Sequence, residues 1–484
     1  MSKLVRSDYL KLAPILALAF YMAFVPHQGF PYPVHVDEWV HLACAKQMIS
    51  NAGTTGLTSP FSGGAPIWNQ TVEMGFHLFW GIFQQITGIS WLIIFKYFPA
   101  IIFMLTVVSV YVVARREGFG WEAAFFTCLI PTTVGTLGPG FLIPLAMGML
   151  FIPLCLFVAF NLRGWQSYVL LFIFTCSLVL MHGATAVCLA IILFPYILLN
   201  IRKNLKHALG ITAALAVPFI APFPWIFKLL LTRAGALFSY QPLPAHVDLP
   251  RDFQLYGYLP AMFFVLGTFW LIRSGTQKGY ALAFGSLMIL AVVVTFVQLH
   301  FGLELIYLRG FVILLLMMGI VAGCGLWVVR RIKLPANLAA RLKSVFIARH
   351  LGSVLCMIFI ALILFIAIPT RQNIPYYHMI DTKDYNAFVW LAENIDESYD
   401  KAILEPWKAT AFTAVTGRKV YTKILMAPKE KDRKALQFLG QGCTDTDFLR
   451  KNSISIVYTR RGCKNPDLVE VRRYVYLLKV RDSP

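Results

Sequence analysis

Charge is scarce in this chain. Of its 484 residues only 14% are Asp, Glu, Lys or Arg, against 58% hydrophobic, and the mean hydropathy is +0.67. A soluble globular protein carries about a quarter charged residues, so a water-soluble domain is excluded. Disorder is excluded from the other side, because it requires low hydrophobicity. Acids are scarcer than bases: 23 Asp+Glu against 43 Lys+Arg, a net charge of +20. Such an excess raises nucleic acid as a partner, but in an apolar chain basic loops first mark orientation, and no nucleic acid is expected. Metal-type cysteine spacing is also missing. The nine cysteines contain no CxxC pair, and six of them (Cys128, Cys155, Cys176, Cys188, Cys324, Cys356) lie in apolar runs, where Cys acts as a small hydrophobe. Cys44, Cys443 and Cys463 fall in polar segments. Lys3, Arg6 and Lys11 precede an apolar run ending near His27 with no small-residue cleavage site after it, which reads as an uncleaved first span. What is left is a polytopic membrane protein.

Runs of roughly 20 apolar residues occur at 9–27, 90–114, 121–138, 141–161, 166–182, 184–200, 208–231, 258–272, 280–299, 307–329 and 350–369. A twelfth stretch, 73–88, is short and carries Glu73, His77, Gln84 and Gln85. Charge decides its status. If the N-terminus is cytoplasmic and 73–88 does not cross, then Arg115/Arg116, Arg163, Arg202/Lys203/Lys206, Arg273/Lys278 and the Arg330–Arg349 cluster all fall inside, as the positive-inside rule requires. If it did cross, every later basic loop would flip. The expected architecture is therefore an α-helical polytopic protein of the cell membrane. It has about eleven transmembrane helices, an interfacial or re-entrant helix at 73–88, and 28–72, 232–257 and 370–484 on the outer face.

The segment after 370 differs in composition: it holds 14 of the 23 acids and 20 of the 43 basic residues. Helices are expected near 384–395, 407–416, 430–439 and 445–451, and strands at Ala402–Glu405, Lys419–Lys423, Ile454–Thr459 and 470–479. Strands separated by helices predict a small extracytoplasmic α/β domain with a mostly parallel sheet. The expected division is 1–369, a transmembrane domain with its first outer loop 28–72, and 370–484, the C-terminal domain. Cys443 and Cys463 both lie in the latter, where a disulfide is chemically allowed.

Nine acids precede residue 370. Asp8, Glu117 and Glu122 sit among inner-face basic residues. The other six, Asp37, Glu38, Glu73, Asp248, Asp252 and Glu304, fall at the outer face, and carboxylates lining an outer cavity mark a functional site; Asp248 and Asp252 read equally as solvated loop acids. The densest cluster is His35-Val36-Asp37-Glu38-Trp39-Val40-His41, with a helix expected over 38–50. Asp37 fits a helix N-cap, but it also shares a face with His41 four residues on. A carboxylate there can take a proton from an acceptor hydroxyl. The same His35, Asp37, Glu38 and His41 could instead hold a divalent cation. Glu73 and His77 repeat the i, i+4 relation, either as the wet face of an interfacial helix or as a cavity wall. Arg309 is a lone guanidinium at the outer boundary; it either snorkels or pairs with Glu304, or binds phosphate through parallel donors. His182 lies at the same side, between two spans. Gly138-Pro139-Gly140 reads as a tight outer turn.

The chain resembles the GT-C superfamily of membrane glycosyltransferases. The residues that carry the likeness are Asp37-Glu38 after the first span, the helix Gly75-Phe76-His77-Leu78-Phe79-Trp80 ending at Thr87-Gly88, the span opening at Ser90, Tyr307-Leu308-Arg309 before a late span, and an outer C-terminal domain. In order and spacing it is similar to the protein O-mannosyltransferase and aminoarabinose transferase type. The likeness covers nearly the whole length in architecture and about the first 115 residues in motif. It implies a polyprenyl-phosphate sugar donor, a glycan, lipid or protein acceptor, and inversion at the anomeric carbon. Asp37 would be the base with Glu38 supporting it, and Arg309 would neutralise the phosphate; His35, His41, Glu73, His77, His182, Glu304 and Arg309 are the candidates, from the reading of the residues themselves, to line the substrate. No cofactor or metal is implied. The Trp-Trp-Asp-Tyr-Gly signature of the oligosaccharyltransferase branch is absent, Glu405-Pro406-Trp407 being the nearest match, which argues against oligosaccharide transfer to asparagine. A transporter or flippase for a lipid-linked or anionic solute is the alternative. It calls for midplane acids in paired broken helices, whereas here the acids gather at one face and no inverted repeat is evident. A non-catalytic envelope assembly protein would tolerate loss of the carboxylates. Asn69-Gln70-Thr71 is an outer-face glycosylation sequon.

Overall fold

The computed structural model describes residues 3–50, 58–64, 73–220, 248–300, 304–333, 345–425 and 428–479. The chain forms two compact units, Met1–Gln28 with Tyr97–Pro375, and Gly29–Lys96 with Tyr376–Pro484. The segment after the first expected span therefore belongs to the same unit as the C-terminal segment.

The first unit is helical. Its elements are α1 (Lys3–Phe24), the main part of α4 (Trp91–Arg115), α5 (Gly120–Thr127), α6 (Pro144–Asn161), α7 (Trp165–Lys203), α8 (Leu205–Ile220), α9 (Leu249–Tyr256), α10 (Tyr258–Arg273), α11 (Gln277–Leu299), α12 (Glu304–Arg330) and α13 (Val345–Gln372). Between α1 and α4 the chain passes through the second unit and its helices α2 and α3, described below. Among the described residues seven helices are long and apolar enough to span a membrane, or eight if α9 and α10, bent by 80° at Gly257, count as one broken span. Most lie within a few residues of the expected spans.

The expected count of eleven is not confirmed among the described residues, for physical reasons. The run 121–138 is helical only to Thr127. Beyond it the chain is irregular, with an isolated bridge between Thr133 and Leu137. Phe125, Phe126, Cys128, Leu129 and Ile130 are nonetheless buried, so this apolar run fills the protein interior rather than facing lipid. The expected spans 166–182 and 184–200 are one element, α7, whose residue His182 has non-helical angles, φ −160° and ψ 86°. Arg163, just before α7, donates to the Tyr196 hydroxyl at 3.3 Å and also meets His207. A straight helix would hold Arg163 and Tyr196 about 50 Å apart, so α7 doubles back at His182 into two membrane-length halves. The run 208–231 is described only to Ile220, and the sequon Asn69–Thr71 and residues 334–344 of the basic cluster lie outside the described residues.

The bundle is built around α12, which is buried along almost its whole length. Close approach there needs small residues. A Cβ on Gly267 of α10 would lie 2.0 Å from the Val321 carbonyl oxygen, and one on Gly325 of α12 would lie 2.2 Å from that of Phe263, so the two backbones touch. By contrast α13 exposes Met357, Ile358, Leu362, Phe365 and Ile366, a lipid-facing surface. Lys278 pairs with Glu117 at 3.1 Å and bonds Asn161 at 2.8 Å, and Arg330 pairs with Glu122 at 2.9 Å. The basic turns grouped by the charge pattern thus gather at one end of the bundle with the two acids expected among them.

The second unit joins α2 (Val36–Ser50), α3 (Met74–Thr87) and the start of α4 to a C-terminal α/β fold. That fold consists of α14 (Thr382–Asn394), β1 (Lys401–Ile403), α15 (Ala409–Thr416), β2 (Lys419–Val420), α16 (Glu430–Gly440), α17 (Thr446–Lys451), β3 (Ile456–Tyr458), β4 (Leu468–Arg472) and β5 (Val475–Leu478). The sheet order is β2-β1-β3-β5-β4, parallel across β2-β1-β3 and antiparallel across β3-β5-β4. The expected mostly parallel sheet is thus mixed, because the single strand expected over 470–479 turns back at Arg473 and Tyr474, the latter at φ 75°. Asp384 locks α14 to the sheet: its carboxylate accepts from Lys408 Nζ at 3.2 Å, Tyr458 at 2.5 Å and Arg460 at 2.8 Å. Several bonds tie the first-loop segment to this fold. Val420 N donates to the Phe61 carbonyl at 2.9 Å, Lys46 Nζ donates to the Ala414 carbonyl at 2.7 Å, and Phe30 stacks on His378 with centroids 3.8 Å apart. Cys443 and Cys463 are both free thiols and lie beside each other.

Candidate functional site

The start of α2 separates the two adjacent carboxylates. Glu38 is fully buried, and its Oε2 accepts from the backbone N–H groups of Val34 at 2.8 Å and His35 at 3.1 Å. Through that oxygen it satisfies backbone donors at the helix entrance. The helix begins at Val36, which moves Asp37 inside the first turn and removes it from the N-cap position expected for it. His35 Nδ1 instead accepts from the Asp37 N–H at 3.1 Å, so the ring carries its proton on Nε2. The Asp37 carboxylate lies 3.9 Å from His35 Nδ1, and its side chain keeps 23% exposure. Of the Asp-Glu pair, Asp37 is the one presented to accessible space.

Asp37, His41 and Cys44 follow at i, i+4 and i+7, a single face of α2. On that face His41 Nδ1 meets His77 Nε2 at 3.0 Å and lies 3.9 Å from Glu73 Oε2. All three residues are buried, which overturns the wet-face option for α3. Its other face carries Phe79, Ile82 and Ile86 exposed, an apolar stripe suited to lying in a membrane interface. Close packing of α2 on α3 is set by Gly81, where a Cβ would lie 2.5 Å from Ile49 Cγ1. Burial pushes the His77 pKa down to about 3, so the ring is neutral near pH 7, and burial pushes the Cys44 thiol up.

Among the described residues His41, Glu73 and His77 are the three metal-type groups that converge closely enough for one ion, with ligand atoms within 4.8 Å of one another. Two imidazole nitrogens and a carboxylate suit zinc or a similar borderline ion. The set suggested by sequence spacing, His35, Asp37, Glu38 and His41, does not converge, because Glu38 is held by backbone donors.

Lys423 was not singled out from the sequence. Its ammonium lies 3.2 Å from the Phe61 ring centroid and feels the charge of Asp37. The one signal was its place in the apolar stretch Val420-Tyr421-Thr422-Lys423-Ile424-Leu425.

The remaining candidates lie in the first unit. His182 is buried at the α7 break, its Nδ1 2.6 Å from Thr185 Oγ1, and Arg309 lies within electrostatic reach of it. Glu304 opens α12, but its side chain lies outside the described residues. Asp248 is exposed and caps α9 by accepting from Arg251 N at 3.0 Å, an ordinary structural role. Asp252 is buried and accepts from Thr133 Oγ1 at 3.2 Å in the irregular segment after α5. The buried Arg371 donates to the Leu129 carbonyl in that same segment.

No protein-family model matches this sequence, and no curated protein matches it. Solved structures do. The oligosaccharyltransferase of Archaeoglobus fulgidus in its apo form aligns with 93% of this chain and 69% of its own, at TM-score 0.62 and 13% identity. The same archaeal enzyme, AglB, in complex with an inhibitory peptide and a dolichol-phosphate gives TM-score 0.58 at 14% identity over 93% of this chain and 69% of its own. ArnT from Cupriavidus metallidurans bound to undecaprenyl phosphate gives TM-score 0.58 at 12% identity over 97% of both chains. This chain therefore shares its fold with the archaeal oligosaccharyltransferase and with ArnT, the kind of fold that the resemblance in the sequence implied.

Proposed function

We propose that this protein transfers a sugar from a polyprenyl-phosphate donor to an acceptor hydroxyl at the outer face of the membrane, with inversion and with Asp37 as base. The observation that carries the reading is the division of labour at the start of α2: Glu38 is spent on backbone donors, while Asp37 stays accessible on the face it shares with His41. The two solved enzymes that share the fold are described with dolichol-phosphate and with undecaprenyl phosphate, which supports a donor of that class. In the step proposed, Asp37 takes the proton of the acceptor hydroxyl, and the acceptor oxygen bonds the anomeric carbon. The bond from that carbon to the phosphate oxygen breaks, and polyprenyl phosphate leaves with the electron pair. Arg309 is proposed to balance charge on that phosphate.

The chemical step is proposed to need no metal. An ion on His41, Glu73 and His77 would hold α2 against α3, a structural task. The N-terminus is proposed to be cytoplasmic and the C-terminal fold extracytoplasmic. The test is reconstitution with several radiolabelled polyprenyl-phosphate sugars, with and without EDTA. Transfer from at least one donor, at a rate within about twofold in EDTA, is expected. No transfer from any of them would favour transport or scaffolding, and loss of activity in EDTA would move the three-ligand cluster into the chemistry.

A further inference from the structure

Lys423 follows β2 and is pinned by its neighbours. Tyr421 N donates to the Ala402 carbonyl at 2.8 Å and Ile424 N to the Pro406 carbonyl at 3.2 Å, while Val420 N joins the strand to the loop carrying Phe61. The side chain therefore has little choice of surroundings. Its Nζ is shut off from solvent, and among the described residues no atom accepts a hydrogen bond from it. The buried Phe61 ring lies 3.2 Å away. The charges that reach the ammonium come from Asp37 on the functional face of α2 and from Lys429.

Burying an ammonium without acceptors is costly, and a desolvated cation–π contact returns only part of that cost. Three strong donors are thus held, by long-range backbone pairing, where no protein group among the described residues uses them. A lysine needed only for packing would be replaced at no loss by an apolar side chain of the same length. A lysine whose acceptors arrive with a ligand would not.

We propose that Lys423 Nζ, seated on Phe61 and beside the Asp37 face of α2, is an oxyanion-binding site that receives a phosphate or carboxylate carried by a substrate. Phosphate oxygens would accept the N–H donors left open. The inference rests on the transferase reading only for the source of the anion, since binding is measured without sugar transfer and either can fail alone. Burial holds the Lys423 pKa down at about 7, so anion binding weakens above that pH.

The test uses the full-length protein in detergent, with inorganic phosphate and undecaprenyl phosphate as probes and thermal stabilisation as the readout. Saturable stabilisation by inorganic phosphate is expected, weakened at least tenfold in Lys423→Met and within about threefold of the parent in Lys423→Arg. If undecaprenyl phosphate weakens in parallel, the anion is the donor's phosphate. If only inorganic phosphate weakens, the anion belongs to the acceptor. Unchanged binding of both probes in Lys423→Met, or no phosphate binding by the parent protein, overturns the proposal. Lys423→Gln, which keeps a polar side chain of similar length without the charge, reads the same site should Lys423→Met fail to fold. Phosphate binding weakened at least tenfold in it is expected, and binding equal to the parent's would count against the site.

Discussion

Replacing Glu38 should damage the fold, not the chemistry. Glu38 Oε2 accepts from Val34 N at 2.8 Å and His35 N at 3.1 Å, and both donors belong to buried residues. Glu38→Ala leaves two backbone N–H groups without their acceptor, at about 1–3 kcal/mol each, so a loss of about 2–6 kcal/mol is expected. Glu38→Gln keeps an acceptor oxygen and gives up only charge assistance, about 1 kcal/mol. Asp37→Asn touches neither N–H and should cost about 0.5 kcal/mol or less. The assay is the thermal unfolding midpoint of each purified variant, with transfer measured on the fraction that stays folded. The expected order of stability is Asp37→Asn close to the parent, then Glu38→Gln, then Glu38→Ala. Folded Glu38→Gln should retain transfer within about tenfold. A Glu38→Gln protein as stable as the parent but inactive would refute the structural assignment and put Glu38 in the reaction.

Two further outcomes follow from the second unit. Cys443 and Cys463 lie side by side as thiols; in an oxidising outer compartment they should pair, closing a loop of some twenty residues worth about 3 kcal/mol. Non-reducing peptide mapping reads this, and two alkylatable thiols in protein isolated without reductant would count against the outer placement. Lys423 supplies a pH dependence. Its folded pKa of about 7 lies below its ordinary 10.5, so between those values the unfolded chain binds more protons than the native one, and stability rises with pH across the window by up to about 1.4 kcal/mol per unit. Lys423→Met should flatten that rise, and an identical pH profile in the variant would show that Lys423 titrates normally.

Much of the fold was legible because apolar runs of membrane length have few other uses. α4, α10, α11 and α12 begin or end within about three residues of their expected bounds, and the helix and strand order of the C-terminal fold agrees up to β3. The misreadings have separate physical causes. The run 121–138 is apolar because protein buries it, and hydropathy does not distinguish protein from lipid. The β4–β5 turn at Arg473 and Tyr474 lacks the Gly or Pro that signals a hairpin. At the site, the i, i+4 pairs Asp37/His41 and Glu73/His77 were visible as patterns, since local spacing sets a helix face. Which carboxylate of Asp37-Glu38 is occupied depends on where α2 starts, a matter of one residue. The approach of Lys423 to Phe61 depends on the pairing of β2 with a loop more than 350 positions earlier in the chain, which no local pattern encodes.

The central claim is that Asp37 is the base. Its most direct test is transfer of radiolabelled sugar from the best polyprenyl-phosphate donor by reconstituted parent protein and Asp37→Asn, matched for folded amount. General-base catalysis contributes about 10²–10⁴-fold, so the account predicts a fall of that size in the rate of the chemical step with the thermal midpoint nearly unchanged. Transfer by Asp37→Asn within tenfold of the parent would contradict it.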